Sequence, residues 1–199
     1  MRVILQRVTS ASVTVGGTLV SRIGKGLLCL VGIGAHDTAA DSAYLARKLA
    51  NARLWPDADG RAWNTSAKAN GYQVLLVSQF TLHGFLKGNK PDFHLSMPPA
   101  AARAHFDAFV GTVEGEMYGW TRSPAGAKTA KAPPADDAGK KVFVGAFGEK
   151  MEVRLVNDGP VTLQLDSELT GAGGAAAKKA AKAAAAPPAG PPMSRKAKA

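Results

Sequence analysis

Cysteine is almost missing from this chain. Cys29 is the only one in 199 residues, so no disulfide framework forms within one chain and no cysteine cluster holds zinc. A lone thiol suits a reducing compartment, and the protein is expected to be cytoplasmic. Long hydrophobic runs are missing too. The longest, Gly26 to Ala35, falls well short of the roughly 20 residues of a membrane-spanning helix. Gln6 and Arg7 interrupt the apolar start before a signal core forms, so no membrane partner is expected. Acid is absent from the last stretch, residues 171–199, which holds Lys178, Lys179, Lys182, Arg195, Lys196 and Lys198. Of a formal net charge of +10 this stretch supplies +6, leaving +4 for residues 1–170. The folded body is therefore only mildly basic. Two chemical signatures are also lacking. There is no G-x-S-x-G elbow, and Gly32-Ile33-Gly34 begins a dinucleotide loop that Asp37 leaves incomplete.

What is present suits one folded domain with a sizeable core. Hydrophobic residues make up 46% of the chain and charged residues 20%, ordinary values for a globular protein. Residues 3–33 read as strands. Val13 and Val15 alternate with Ser12 and Thr14, Gly16-Gly17 marks a hairpin turn, and Leu27 to Ile33 is apolar on both faces, as a central strand should be. Residues 38–55 read as a helix capped by Asp37 or Thr38 and stopped at Pro56. A strand follows over Tyr72 to Phe80. A second helix runs from about Pro99 to Tyr118, with Phe106, Phe109, Val110, Val113 and Met117 on one face. Residues 121–141 are rich in proline and glycine and read as a flexible insertion. Strands resume over Val142 to Phe147, Met151 to Val156 and Val161 to Leu165. The order favours a mixed α/β domain with much antiparallel pairing.

Two segments invite a chemical reading. Ser78-Gln79-Phe80-Thr81-Leu82 follows the apolar strand Val74 to Val77, so it sits where a strand leaves the sheet and exposes backbone N–H groups. Ser78 or Thr81 is a candidate nucleophile with His83 as base, set against an ordinary strand end. Asn157-Asp158-Gly159-Pro160-Val161-Thr162 lies between two expected strands, and Asp-Gly-Pro reads first as a turn. A Gly-Pro bond also adopts the cis form at modest cost, which would turn two successive carbonyls to one side and make a rigid wall without side chains. His83, Asp92 and His94 match no metal-ligand spacing, and no metal is expected. His36 and His105 read as surface or helix-face residues. Lys87 and Lys90 suit phosphate contacts or a solvated loop. Trp55 and Trp63 read as core or rim aromatics.

The two segments together resemble the signature pair of the D-aminoacyl-tRNA deacylases. Met1 to Val8 resembles that family's first strand. Leu86 to Pro98 is similar to the stretch after SQFTL in its eukaryotic branch, and Val144 to Met151 to its G-x-F-G-x-x-M segment. Glu149-Lys150 departs from the small residue expected after the glycine. The resemblance covers residues 1–168 apart from the insertion, and leaves 169–199 as a disordered basic tail. It implies a homodimer with a three-layer α/β/β fold of mostly antiparallel and mixed sheets, and no cofactor. The implied activity is hydrolysis of the ester joining a D-amino acid to the terminal adenosine of tRNA, as chiral proofreading in translation quality control. Ser78, Gln79, Phe80 and Thr81 would form the catalytic pocket, its backbone N–H groups stabilising the oxyanion. Gly159 and Pro160 of the other subunit would exclude L side chains. Arg7 would orient that dipeptide, Phe147 would line the pocket, and Asn157 opens the selecting motif. Some family members are linked to DNA replication origins, which makes DNA a second partner to consider.

Two other classes stay open at this stage: an esterase with Thr81 or Ser78 as nucleophile, and a non-catalytic nucleic-acid-binding protein driven by the tail. Deleting residues 171–199 separates the last from an enzyme. Hydrolysis of D-aminoacyl-tRNA should survive the deletion while RNA retention at low salt weakens; RNA binding lost in a protein that never showed hydrolysis would leave only the binding module.

Overall fold

A computed structural model describes residues 1–119, 121–122, 128–129 and 139–170. The basic tail beyond Thr170 and most of the 121–141 insertion lie outside the described residues. Inside the insertion, β9 (Thr121–Arg122) pairs with β10 (Lys128–Thr129).

One six-stranded sheet organises the chain. Its strands are β1 (Arg2–Val15), β2 (Thr18–Ile23), β3 (Gly26–Gly32), β6 (Gln73–Ser78), β11 (Val142–Val144) and β12 (Glu152–Asp166), in the order β11-β6-β3-β1-β12 with β2 also paired to β1. β3, β6 and β11 run parallel, while β1 is antiparallel to β2, β3 and β12. The sheet is mixed, as the element order suggested. β3 is central and buried along almost its whole length, which is why it carries no polar alternation.

The buried positions of β1 change parity along the strand. Met1, Val3 and Leu5 are buried in one core, then Val8, Ala11 and Val13 in another. The ladder to β12 shifts register between Gln6 and Val8 and again between Val8 and Ser10. Successive strand residues face opposite sides, so Val8 already lies on the face opposite Leu5, and the irregularity between Val8 and Ser10 turns Ala11 and Val13 onto Val8's face. The first half of β1 faces the helices. The second half curls with β2 over the opposite face, where Ile23 of β2 joins Leu28, Leu75, Val77 and Phe143. Ser21 Oγ of β2 donates to the Val144 carbonyl of β11, which ties that curl down. The layers are helix, sheet and curled sheet.

The helix layer is α1 (Ala39–Asn51) against α3 (Pro99–Tyr118). α1 turns Leu45, Ala46 and Leu49 inward, and α3 turns Phe106, Phe109, Val113 and Met117. Full burial of a side chain such as Phe109 or Leu49 contributes about 1.5–3 kcal/mol. Ser42 Oγ and His105 Nε2, 2.9 Å apart, bridge the two helices. α3 has the bounds its periodicity predicts.

Other elements end earlier than expected. α1 stops at Asn51, and Arg53–Trp55 forms β4, paired with β5 (Thr65–Ser66). Helical spacing continues through this segment, but extended geometry buries Leu54 and Trp55 and sets the Trp55 ring edge-on to Tyr72 at 5.1 Å. Trp63 stays exposed. α2 (Ala67–Asn70) is a single turn capped by Ser66. β6 ends at Ser78 rather than Phe80, and β11 at Val144 rather than Phe147. Residues 152–166 form one continuous strand, not two strands and a turn. The chain then closes with α4 (Ser167–Thr170).

Gly26 shows how closely the central strands approach. A Cβ there would sit 1.9 Å from the Gln73 carbonyl oxygen. Gly26→Ala should therefore break the β3–β6 pairing at its first rung and cost about 3 kcal/mol, the upper end for overpacking. Urea unfolding measures it, and an unchanged midpoint would contradict the packing described.

Candidate functional site

The SQFTL segment starts on the last rung of β6 and turns off the sheet. Ser78 pairs with Val31 of β3, and Gln79 N–H still donates to the Val31 carbonyl at 2.8 Å. Phe80–His83 then winds into a 3-10 turn. A helical turn leaves its leading N–H groups without an intrahelical acceptor, so Phe80 and Thr81 present theirs at the sheet's end. Two side-chain hydrogen bonds hold the turn. Arg2 Nη1 donates to the Leu82 carbonyl at 2.9 Å while Arg2 Nε binds Asp166 at 3.0 Å. Ser96 Oγ donates to the Phe80 carbonyl at 2.9 Å. Gly32 admits the turn: a Cβ there would meet Leu82 Cβ at 2.8 Å and the Gln79 carbonyl oxygen at 3.1 Å.

A cavity of about 580 Å³ opens at this place. Ser78, Gln79 and Phe80 line one side, and Phe147 with Gly148 and Glu149 another. The segment from Phe93 to Pro99 closes it, held to the end of β3 by Met97 N–H donating to Ile33 and Ala35 N–H to Leu95. The exposed Phe80 ring stands edge-on to Phe93 at 5.0 Å. Phe147 leans on Phe106 of α3 at 5.7 Å, and Arg103 lies over its ring at 5.5 Å. Thr81 stands beside this wall, exposed, and its hydroxyl accepts from the Gln79 side-chain amide. Of the residues singled out from sequence, the structure brings Ser78, Gln79, Phe80 and Phe147 to one cavity. Sequence reasoning missed the walls from Met97, Pro98, Pro99, Ala102, Met151 and Val153. Only the Pro98-Pro99 start of α3 hinted at a rigid wall.

The NDGPVT segment is elsewhere. Asn157 pairs with Val8 and Thr162 with Gln6, so Asp158 to Val161 stand opposite Arg7 alone and bulge from the ladder. Gly159–Pro160 is cis, and Gly159 has φ +127°. Arg7 holds the base of the bulge: Nε donates to the Asp158 carbonyl at 3.0 Å, Nη2 meets its carboxylate at 3.4 Å, and Nη1 donates to the Leu54 carbonyl. Gly159 and Pro160 themselves are exposed. Arg7 pairs with Leu27 of β3, whereas the cavity takes Val31 and Ile33. Four to six strand residues separate the two places, about 13–20 Å at strand rise. Within one chain the structure does not bring Gly159, Pro160, Arg7 or Asn157 to the cavity.

The histidines do other work. His83 is buried beneath the turn against Gly32 and Gly34, with Nε2 unpartnered among the described residues. Burial pushes its imidazole below the ordinary range, and a bond to the Gly32 backbone opposes this more weakly. It does not line the cavity as a base for Thr81 would. Asp92 is held below the usual carboxylate range first by the His94 backbone N–H and then by the His94 ring, at 2.6 Å. Lys87 and Lys90 are exposed on the hairpin of β7 (Phe85–Lys87) and β8 (Lys90–Asp92). Among the described residues no group of three His, Cys, Asp or Glu is placed to hold a metal, and no helix is long and apolar enough to cross a membrane.

A solved structure named "c-Myc DNA Unwinding Element Binding Protein" is 38% identical, with a TM-score of 0.70 over 84% of this chain and 99% of that one. A probable eukaryotic D-amino acid tRNA deacylase shares the fold at 22% identity and a TM-score of 0.62, over 83% of this chain and 98% of that one. The family model for D-Tyr-tRNA(Tyr) deacylase matches residues 4–166. A D-aminoacyl-tRNA deacylase of Dictyostelium discoideum is 43% identical over 84% of this chain and 99% of its own length. D-aminoacyl-tRNA deacylase 1 of Homo sapiens is 40% identical over 86% and 72%. The chain belongs to the D-Tyr-tRNA(Tyr) deacylase family.

His83 makes the fold around the cavity sensitive to acid. Its folded pKa lies below the unfolded value of about 6.5, so the unfolded chain binds the extra proton. Its contribution is complete above that value and is lost as pH falls through it toward the folded pKa. Unfolding free energy measured between pH 7 and 5 should therefore decline, and His83→Gln should flatten that slope whatever its effect on absolute stability. An identical slope in the variant would refute the assignment.

Proposed function

We propose that this protein hydrolyses the ester of D-aminoacyl-tRNA, releasing the D-amino acid and reusable tRNA. The observation that supports it most is the make-up of the cavity: mostly apolar walls, the SQFTL turn along one side, and no histidine or lysine among the described residues that line it. An aminoacyl ester is already activated, so donors aimed at the developing oxyanion supply most of what hydrolysis needs. The ribose 2′-hydroxyl of the terminal adenosine orients the attacking water. Ser78, Gln79 and Phe80 hold the adenosine and the carbonyl, and Phe147 packs against the substrate. A side-chain nucleophile is less well supported. The Thr81 hydroxyl is engaged by Gln79, and His83 is buried away from it.

Chirality is selected by a second copy of the chain in a homodimer. Gly159 and Pro160 are exposed and lie too far along the sheet to reach their own cavity, so they serve the partner's. β12 ends the sheet as an open edge and exposes Val156 and Leu163, a surface suited to a second copy. The dipeptide's carbonyls occupy the space an L side chain needs, and rigid backbone there rejects by exclusion. Glycine has nothing to exclude. DNA as a second ligand is favoured by the basic tail and by the name of the 38%-identical neighbour. Adding duplex DNA to the tail-deletion comparison tests it.

Matched D- and L-aminoacyl-tRNA decide the proposal. D-tyrosyl-tRNA should be hydrolysed about 100-fold faster than L-tyrosyl-tRNA, with glycyl-tRNA cleaved in between. Equal rates on the two enantiomers would sink the proofreading reading. Thr81→Ala should keep most of the activity. Gly159→Ala should erode the D/L ratio, because a Cβ there meets Val161 Cγ2 at 3.0 Å and Arg7 Nη2 at 3.3 Å and φ is unfavourable for any L residue.

A further inference from the structure

We infer that Glu149 determines specificity by binding the α-ammonium group of the aminoacyl substrate. The inference rests on the deacylase reading above and adds a residue to it. Among the described residues that line the cavity, Glu149 is the only one with an ionisable side chain. It follows Gly148, whose φ of +81° makes the turn after Phe147, and its N–H donates to the Ala146 carbonyl at 3.3 Å. The backbone is therefore fixed while the side chain is exposed at the mouth.

No cation of the described residues neutralises it. Arg103, the cation against the same wall, is directed elsewhere: its Nε pairs with Asp107 at 3.4 Å and its guanidinium lies over Phe147. Glu149 thus presents an unpaired carboxylate to a cleft whose other described lining side chains are uncharged. Apolar walls strengthen any charge interaction made there once water is displaced. An acid at this place repels phosphate, and phosphate is what the tRNA end brings in quantity. The one cation that every aminoacyl ester brings is its α-ammonium, one carbon from the scissile carbonyl. A cavity of about 580 Å³ is only about 10 Å across. With the carbonyl at the Phe80–Thr81 N–H groups, the ammonium would enter the same cavity that Glu149 lines. The contact is a charge-assisted hydrogen bond, and it favours substrates that keep a free amine.

The test compares D-phenylalanyl-tRNA with its neutral, near-isosteric counterpart D-phenyllactyl-tRNA, in which hydroxyl replaces ammonium. Full-length protein is assayed as wild type, Glu149→Gln and Glu149→Asp. Glu149→Gln should lower kcat/KM for the aminoacyl substrate about 10-fold, mainly through KM, and leave the hydroxyacyl substrate within about twofold. Glu149→Asp should recover part of the loss. An equal loss on both substrates would mean that Glu149 acts on the fold or on tRNA, and no loss on either would mean that it does nothing; each overturns the inference. A wild-type protein that cleaves neither substrate fails one step earlier, at the deacylase reading, and takes the inference with it.

Discussion

The guanidinium of Arg7 sits where three parts of the molecule meet. It binds the Leu54 carbonyl on the helix side and the carbonyl and carboxylate of Asp158 on the β12 side, from the strand residue opposite which β12 bulges out of the ladder. Without the irregularity that follows between Val8 and Ser10, Ala11 and Val13 would turn away from the core that Val8 enters, and the curled layer with β2 would lose much of what it covers. Without the arginine, four residues of β12 would leave the ladder with few fixed points. Charge-assisted bonds of this kind exceed neutral ones, and Arg7 makes them from a half-buried position. The helix layer, the curled layer and the bulge that carries Gly159–Pro160 all take their relative places from this strand segment.

Much of this was legible from residue order. The hairpin at Gly16-Gly17, the apolar core strand and the whole of α3 follow from period and turn chemistry alone. The errors share a cause. Arg53–Trp55 continues a helical pattern but gains more from burying two large side chains beside Tyr72, a tertiary effect that local period does not carry. Residues 157–162 have the composition of a turn, yet β1 runs alongside on both sides of them and absorbs the extra length as a bulge. Pairing partners distant in sequence decided both cases.

The site was half legible for a similar reason. Ser78, Gln79, Phe80 and Phe147 carry recognisable patterns and do converge. Pro98, Pro99, Ala102 and Met151 contribute only shape, and shape arises after α3 and the Phe93–Pro98 segment have docked on the end of β3. The two signature segments look equivalent in sequence, but they lie at different stations along β3. One chain therefore carries both segments without bringing them together.

The site proposed above, with main-chain N–H groups as its donors, would have an unusual relation to mutation. A substitution at Phe80 or Thr81 changes the side chain and leaves the donor in place, proline excepted. The positions where sequence drift does damage are instead silent-looking ones. Gly32 has no functional group, yet any Cβ there would push into Leu82 and Gln79 and tilt the whole turn. In such a protein the residues that cannot change are found beneath the chemistry rather than in it.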